Sequence, residues 1–242
     1  MSPNEDSAQV KARHNVLCLH GIGTNADIFE AQTATLRHQL NSVASYEYDF
    51  VDGNHPWPPH PTVTNIFGMQ QEYLSYFDGS AASALTAIDN LATHILENGP
   101  YDAIMGFSMG GAMAATLLLQ PQNPEADNPS WLAARKLIRG AVFICSTLPV
   151  DTMELRHGRM GWVKAEDVGP AGKLHPIGVP TVHAWSPRDL CNCAESRLLV
   201  SMCIETQRTE VLHDAGHGIP SGISEVTSMS DVIQGMMNKI EQ

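Results

Sequence analysis

The fold of this 242-residue chain is predicted first from the segment Tyr101-Asp102-Ala103-Ile104-Met105-Gly106-Phe107-Ser108-Met109-Gly110-Gly111. Its first half is an apolar run typical of a buried strand, and the alanine- and leucine-rich segment 112–119 predicts a helix directly after it. A Gly-x-Ser-x-Gly turn between a strand and a helix is typical of a nucleophile elbow, in which small neighbours permit a strained turn. Ser108 is therefore the candidate nucleophile, and the alternative is a glycine-rich turn that serves only close packing.

Apolar runs and helical stripes alternate on both sides of this elbow. Further strands are predicted at 16–19, 46–51, 140–145, 179–185 and 209–212. Helices are predicted at 28–40, from a cap at Ser80 or Ser83 to about residue 97, at 194–203 and at 224–240. Such alternation predicts an α/β fold with a mostly parallel central sheet and helices on both faces.

The remaining segments set the expected domain organisation. Residues 1–14 are predicted to be a mobile N-terminal arm, and 15–242 a single domain. Two long segments, about 54–79 and 147–178, are expected to be lid-like insertions, because such long connections are commonly functional. Residues 121–131 are expected to form a surface loop.

A serine hydroxyl is a weak nucleophile and needs a base that is held by a third group. In the elbow-bearing fold these partners follow the serine in the order Asp or Glu, then His. His217, between two glycines just after the last predicted strand, is the expected base, with His213 as the alternative. Asp189, after the strand at 179–185, is the expected carboxylate, and an aspartate of a turn or helix cap is the alternative reading.

A tetrahedral oxyanion needs preorganised donors, which are usually two backbone N–H groups. One is expected from Met109, directly after the nucleophile. The second is expected from the turn His20-Gly21-Ile22-Gly23, with the N–H of Ile22 preferred over that of Gly23. In the first insertion, Trp57, Phe67, Met69 and Phe77 are candidates for an apolar substrate pocket, although such a stripe is equally often ordinary core.

The composition excludes several classes of protein. A formal net charge of −12 without a basic stripe argues against a nucleic-acid partner. No apolar run is long enough to span a membrane, and the polar, acidic N-terminus is unlike a secretory signal. Five cysteines, an odd number, indicate free thiols in a reducing compartment, so a cytoplasmic location is expected. Cys191-Asn192-Cys193 lacks a second ligand pair, and no metal site is predicted.

Four ordered blocks together resemble a fungal family of serine hydrolases within the α/β-hydrolase superfamily. They are residues 17–29, which contain His20-Gly21-Ile22-Gly23, residues 48–53, the elbow at 99–108 and Gly216-His217-Gly218-Ile219-Pro220. The similarity spans about residues 14–240. Two departures are Met109, where many members carry glutamine, and segment 147–178, which matches no block of the family.

The resemblance implies hydrolysis of an ester or thioester of a medium or long acyl group, with no metal and no diffusible cofactor. The family includes stand-alone enzymes of fungal polyketide gene clusters. The leading hypothesis is a thioesterase that releases a polyketide from its acyl carrier protein. The alternatives are a general carboxylesterase on small soluble esters and, from another class, a ligand receptor that uses the pocket only for binding. Carrier proteins are typically acidic, and Arg156, His157 and Arg159 are the candidates for a local basic patch.

Overall fold

Six parallel strands form the central sheet of the computed structural model, which describes residues 13–59, 61–69 and 71–241. The described residues also contain four short strands outside this sheet. In chain order the strands are β1 (Arg13–Leu19), β2 (Ser45–Val51), β3 (His55–Pro56), β4 (Leu74–Ser75), β5 (Ala103–Phe107), β6 (Gln120–Pro121), β7 (Ala141–Ile144), β8 (Leu174–His175), β9 (Thr181–Trp185) and β10 (Arg208–Leu212). The four outside the sheet are β3, β4, β6 and β8. The helices are α1 (Ala26–Gln32), α2 (Ala34–Val43), α3 (Pro61–Phe67), α4 (Ala81–Asn98), α5 (Met109–Leu118), α6 (Pro129–Arg135), α7 (Thr152–Arg156), α8 (Cys193–Ser201) and α9 (Ile223–Ile240).

The order of the strands places the candidate site. Across the sheet they run β10-β9-β7-β5-β1-β2, with every neighbouring pair parallel. The chain starts at β1, moves outward to β2, returns to β5 and then continues in the other direction. In open parallel sheets ligands bind where this reversal occurs, beyond the carboxyl ends of the strands. Here that point lies between β1 and β5, which lead into His20 and Ser108 respectively. The predicted fold class is confirmed.

Two apolar layers cover the two faces of the sheet. On one face α4, α5, α6 and α8 bury residues such as Leu17, Ile88 and Phe143. On the other face α1, α2 and α9 bury residues such as Phe29 and Val142. The strands in the middle of the sheet are buried on both faces, which explains why they occur in the sequence as continuous apolar runs.

The predicted helix 28–40 is two helices, so this prediction was wrong in its continuity. The chain breaks at Thr33, whose φ of −90° and ψ of 0° lie outside the regular helix. The Thr33 hydroxyl donates to the carbonyl of Phe29 at 2.8 Å. Hydroxyl back-bonding of this kind competes with the helical ladder and commonly bends it.

The predicted surface loop 121–131 ends early, because α6 begins at Pro129. Asn128 caps this helix through its side-chain oxygen, which accepts from the N–H of Ser130 at 2.9 Å. Proline at the first helical position is preorganised for a helix start. Of the two candidate caps of α4, Ser80 is the one observed, and its hydroxyl accepts from the N–H of Ser83.

Both predicted insertions contain short regular elements. The first forms an antiparallel pair, β3 with β4, and the short helix α3. The second contains α7, and β8 pairs with β6. Of the predicted arm, residues 1–12 lie outside the described residues, whereas Arg13 and His14 already belong to β1. Among the helices described, none combines the length and the apolar character needed to cross a membrane.

His183 is a buried basic side chain of the central sheet. It lies on β9 with 2% of its surface exposed, and its ring centroid is 5.0 Å from that of Phe143. Burial, reinforced by the charge of Arg208, lowers the pKa of His183 to about 3. The imidazole is therefore neutral in the folded protein at any pH near neutrality.

This neutral histidine predicts a loss of stability in mild acid. Below pH 6.5 the unfolded chain binds a proton at His183 that the folded chain does not bind, so the free energy of unfolding falls as the pH falls towards 3. Each pH unit in that interval contributes ~1.4 kcal/mol, or ~2 kcal/mol between pH 6.5 and 5. The free energy of unfolding, measured with urea, should differ less between pH 7 and pH 5 in His183→Gln than in the wild type, by about that amount. An equal difference in the variant and the wild type would contradict this assignment.

Candidate active site

Ser108 lies at the apex of a strained turn between β5 and α5. Its φ of 53° and ψ of −115° lie in a region that residues other than glycine rarely adopt. The turn is held because the N–H of Ser108 donates to the carbonyl of Ile144 on β7 at 2.9 Å. The strain places the hydroxyl beyond the carboxyl edge of the sheet, at the point where the strand order reverses.

Two glycines of the elbow allow this close approach of the backbone. A Cβ on Gly106 would lie 2.4 Å from the N atom of Gly111, and one on Gly110 would lie 2.1 Å from the carbonyl oxygen of Leu19. Neither position has room for a side chain. The Gly-x-Ser-x-Gly pattern is therefore required by the packing of the elbow against β1 and α5.

The structure brings Ser108, His217 and Asp189 into one hydrogen-bonded line. His217 Nε2 is 3.1 Å from Ser108 Oγ, and His217 Nδ1 is 2.8 Å from Asp189 Oδ2. His217 lies in the loop between β10 and α9, and Asp189 follows β9, as their positions in the sequence predicted. A base in contact with the serine hydroxyl and oriented by a carboxylate is the arrangement that activates a serine nucleophile.

Asp189 is held as a carboxylate. Its other oxygen, Oδ1, accepts from the N–H groups of Cys191 and Asn192 at 2.8 and 2.9 Å. Burial disfavours the charge, but the hydrogen bonds from His217 and from these two N–H groups outweigh it and lower the pKa of Asp189. The carboxylate therefore holds the proton of His217 on Nδ1, so that the unprotonated Nε2 accepts from Ser108.

His213, the alternative base, points elsewhere. It is 4% exposed, and its Nδ1 accepts from the N–H of Ala215 at 3.3 Å. Its Nε2 is 3.6 Å from the sulfur of Cys145. The ring of His213 is therefore held by buried contacts with Cys145 and with the backbone of Ala215.

The two expected oxyanion donors differ from the alternative in their hydrogen bonds. Gly23 is committed, since its N–H donates to the carbonyl of Leu74 at 2.9 Å. Within the described part of the chain, no hydrogen bond occupies the N–H of Ile22. Met109 opens α5, where the first N–H groups have no intrahelical partner and the helix dipole favours negative charge. The geometry thus favours Ile22 and Met109 over Gly23.

Comparisons with known proteins identify the family of this chain. Residues 10–229 match the family model described as "Serine hydrolase (FSH1)". The chain belongs to the FSH1 family of serine hydrolases. It is 34% identical over 226 residues to "Esterase FPY3" of Fusarium mangiferae, covering 93% of this chain and 97% of that one. It is 27% identical to "Esterase pigG" of Monascus ruber over 88% of each chain.

A solved structure supports the fold of this FSH1-family hydrolase. The carboxylesterase of Bacillus cereus superposes with a TM-score of 0.55 at 18% identity, covering 93% of this chain and 89% of that one. At this identity the likeness establishes the architecture alone. The predicted α/β-hydrolase fold and the predicted enzyme class, a serine hydrolase, are confirmed.

His20 shapes the site of this hydrolase, a role that its position at the end of a predicted strand did not reveal. It is fully buried, and its Nε2 accepts from the N–H of Gly53 at 2.9 Å. The proton is therefore on Nδ1, which donates to the carbonyl of Gly21 at 2.7 Å. Burial lowers the pKa of His20, so the ring is neutral. The imidazole thus ties the turn that carries Ile22 to the end of β2.

Loss of this tie should affect the transition state more than the binding of substrate. We expect His20→Ala to lower kcat about 10- to 100-fold with a small change in KM. The oxyanion donor contacts the substrate oxygen only in the transition state, so its displacement slows the reaction without weakening substrate binding. His20→Gln keeps an amide oxygen that can accept from Gly53 and should retain more of the activity. Steady-state kinetics on one ester substrate tests this expectation, and a pure KM effect would contradict it.

The four predicted pocket residues do not line one pocket. Phe67 packs in a small cluster with Ile28, Val63 and Tyr73, and Phe77 packs against the main core. Trp57 and Met69 line an open surface depression whose lining does not include Ser108. The reason is that the segment folds as β3, β4 and α3, which pack on α1 and on the core.

Other residues line a cavity beside the elbow. A cavity of about 190 Å³ lies between β2, α4 and α5, with an apolar wall that includes Leu19, Tyr76, Leu91 and Met113. Leu19 directly precedes His20, and Met113 is one helical turn beyond Met109. Ser75 directly precedes Tyr76; its hydroxyl donates to the carbonyl of Phe77 at 2.6 Å, and the same oxygen lies 3.5 Å from the sulfur of Met109. Met109, which stands where many family members carry glutamine, therefore contacts the first insertion.

One group of metal-ligand side chains occurs among the described residues. Cys145, Asp189 and His217 place their ligand atoms within 4.8 Å of one another. Burial above all, and then the charge of Asp189, raises the pKa of Cys145 to about 12. Metal ions bind the thiolate rather than the thiol, so this protonated sulfur fits a metal poorly. Cys191 and Cys193 belong to the loop and helix start after Asp189, and all five cysteines are unpaired.

Proposed function

We propose that this serine hydrolase cleaves an ester or thioester of an apolar acyl group through a Ser108–His217–Asp189 triad. The observation that carries the proposal is the contact of 3.1 Å between Ser108 Oγ and His217 Nε2, with the far side of the ring bound to Asp189. The distance is within hydrogen-bond reach for a base that takes the proton of its nucleophile.

The first half-reaction transfers the acyl group to the enzyme. As Ser108 Oγ attacks the acyl carbon, its proton moves to His217 Nε2, and Asp189 stabilises the imidazolium that forms. The N–H groups of Ile22 and Met109 donate to the oxyanion of the tetrahedral intermediate. When that intermediate collapses, the C–O or C–S bond breaks and the leaving alcohol or thiol takes the proton from His217.

The second half-reaction releases the acid. Water gives a proton to His217 Nε2 as its oxygen attacks the acyl carbon of the acyl-enzyme, and the same two donors bind the second oxyanion. Collapse then breaks the bond to Ser108 Oγ, and the proton returns from His217 to that oxygen. All proton transfers use residues of this chain, and the proposed scheme needs no cofactor.

The finer proposal is that the acyl group is a polyketide presented as a thioester on an acyl carrier protein. It is supported by the resemblance of the opening block, residues 17–29, to the thioesterase of the lovastatin pathway. A cytoplasmic location belongs to the same proposal, supported by the unpaired cysteines, which are typical of a reducing compartment.

A second candidate, a carboxylesterase on soluble esters, is favoured by the charges of the second insertion. The candidate basic patch there is largely used internally. Arg159 pairs with Glu154, and Arg156 donates to the carbonyl of Ala126 and lies over the ring of Trp131. The charge of Arg159 is therefore balanced by Glu154, while Arg156 keeps its charge but directs its guanidinium to a carbonyl and a ring of this chain, so fewer donors remain for the carboxylates of an acidic carrier protein. The similarity to esterase FPY3 points the same way.

Kinetics on matched substrates separate the two candidates. We would compare kcat/KM for octanoyl esters of nitrophenol with kcat/KM for octanoyl thioesters of N-acetylcysteamine and of a carrier protein. A preference for the carrier-bound thioester supports the first candidate, and cleavage of esters without cleavage of thioesters supports the second. A protein that binds these acyl compounds and cleaves none of them would instead be a receptor, which would overturn the proposal.

A further inference from the structure

Cys145 occupies an unusual position next to the candidate site. It follows β7 directly, it is fully buried, and its φ of 43° makes it, with Ser108, one of two non-glycine residues with positive φ in the described chain. Its N–H donates to the carbonyl of Ala184 on β9 at 2.8 Å. Non-glycine residues in this region persist only where their surroundings hold them, and they concentrate at functional sites.

The thiol of Cys145 faces the loop that carries His217. Its sulfur is 3.5 Å from the carbonyl oxygen of Gly216 and 3.7 Å from that of Gly218. These two residues flank His217 in the chain. Because the raised pKa of Cys145 keeps the thiol protonated, its single S–H can donate to one of these two carbonyls at a time.

His213 adds a third contact to the same sulfur. Its Nδ1 accepts from the N–H of Ala215, so in the neutral ring the proton is on Nε2, which lies 3.6 Å from the sulfur. Burial lowers the pKa of His213 and keeps the ring neutral. The beginning, the middle and the end of loop 213–218 thus all contact the sulfur of Cys145.

We propose that Cys145 is a positioning residue that fixes loop 213–218 and, through it, the imidazole of His217. The inference rests on the proposed function, because it assigns a catalytic consequence to the position of His217. Cys145 itself touches no reacting atom in this scheme. A thiol fits the task because its sulfur reaches two carbonyls and an imidazole at 3.5–3.7 Å, distances too long for a hydroxyl to bridge together.

The test compares Cys145→Ala, Cys145→Ser and the control Cys203→Ala. Cys203 is also buried, and its thiol donates to the carbonyl of Leu199 within α8 at 3.6 Å. We expect Cys145→Ala to lower kcat about 10-fold or more with KM within about 2-fold, since small displacements of catalytic groups cost large factors in rate. The kcat of Cys145→Ser should be about 3-fold below that of the wild type, and Cys203→Ala should keep kcat within about 2-fold.

Hydrogen exchange of the peptide that contains residues 213–218 provides a readout independent of activity. We expect faster exchange in Cys145→Ala than in wild type, and no change in that peptide in Cys203→Ala. Unchanged kcat and unchanged exchange in a folded Cys145→Ala would overturn the inference, as would an equal fall of kcat in Cys203→Ala. If Cys145→Ala does not fold, an unchanged kcat in Cys145→Ser would overturn it. A wild type that cleaves no acyl substrate would refute the proposed function, while the exchange data would still decide whether Cys145 holds the loop.

Discussion

Ser108→Ala should lower kcat/KM for an ester substrate about 10⁵-fold or more, with the melting temperature little changed. The variant loses the oxygen atom that bonds to the acyl carbon. Only the weak catalysis of the remaining binding and oxyanion groups is then left. The turn should survive, because alanine occupies the same backbone conformation and the N–H bond to Ile144 does not involve the side chain. The measurement is steady-state kinetics on a nitrophenyl ester beside a thermal unfolding curve.

A matched control comes from Ser230, a fully buried serine on α9. Its hydroxyl accepts from the side-chain amide of Gln234 at 3.0 Å and lies outside the site. Ser230→Ala should therefore keep kcat/KM within about 2-fold. Substantial residual activity in Ser108→Ala, above that of a mock purification, would show that another group attacks the substrate.

Asp189→Asn should lower kcat about 10⁴-fold while leaving the fold intact. The carboxylate accepts from His217 Nδ1, and an amide at this position can present N–H there instead, which stabilises the wrong tautomer of the ring. Because the hydrogen bonds of the site lower the pKa of Asp189, the wild-type group is ionised throughout the neutral range. The deficit should therefore be the same at pH 7 and pH 8.

Asp214 provides the control for this substitution. It is only three residues from His217, but its side chain is 69% exposed and pairs with Arg188 at 3.5 Å. Exposed pairs contribute little, so Asp214→Asn should keep kcat within about 2-fold. Equal losses in the two variants would mean that negative charge near the loop matters, rather than the specific bond from Asp189 to His217.

Much of the fold and the line of three side chains follows from local sequence. Buried strands of a parallel sheet appear as apolar runs, and the loops after them meet at one edge, so chain order was enough to select Asp189 and His217. Gly106 and Gly110 were correctly interpreted because their small size is visible in the sequence. These predictions depend on local patterns and on the order of the elements along the chain.

The failures involve contacts between distant segments. Nothing in the sequence around Cys145 reveals that its sulfur meets carbonyls 71 and 73 residues away. His20 looked like the end of a strand, because its partner Gly53 belongs to another loop. The pocket prediction for Trp57, Phe67, Met69 and Phe77 used apolar character alone, which cannot distinguish a substrate wall from packing on α1. The break at Thr33 was the exception, since its hydroxyl bond is local.

Ser108 is the nucleophile in the mechanism that we propose for this serine hydrolase. Treatment with a fluorophosphonate, followed by peptide mass spectrometry, tests this assignment, because the reagent forms a stable adduct with an activated serine. We expect one adduct per chain, on Ser108, which forms slowly or not at all in His217→Ala. An adduct on a different serine, or no adduct in a preparation that hydrolyses esters, would contradict it.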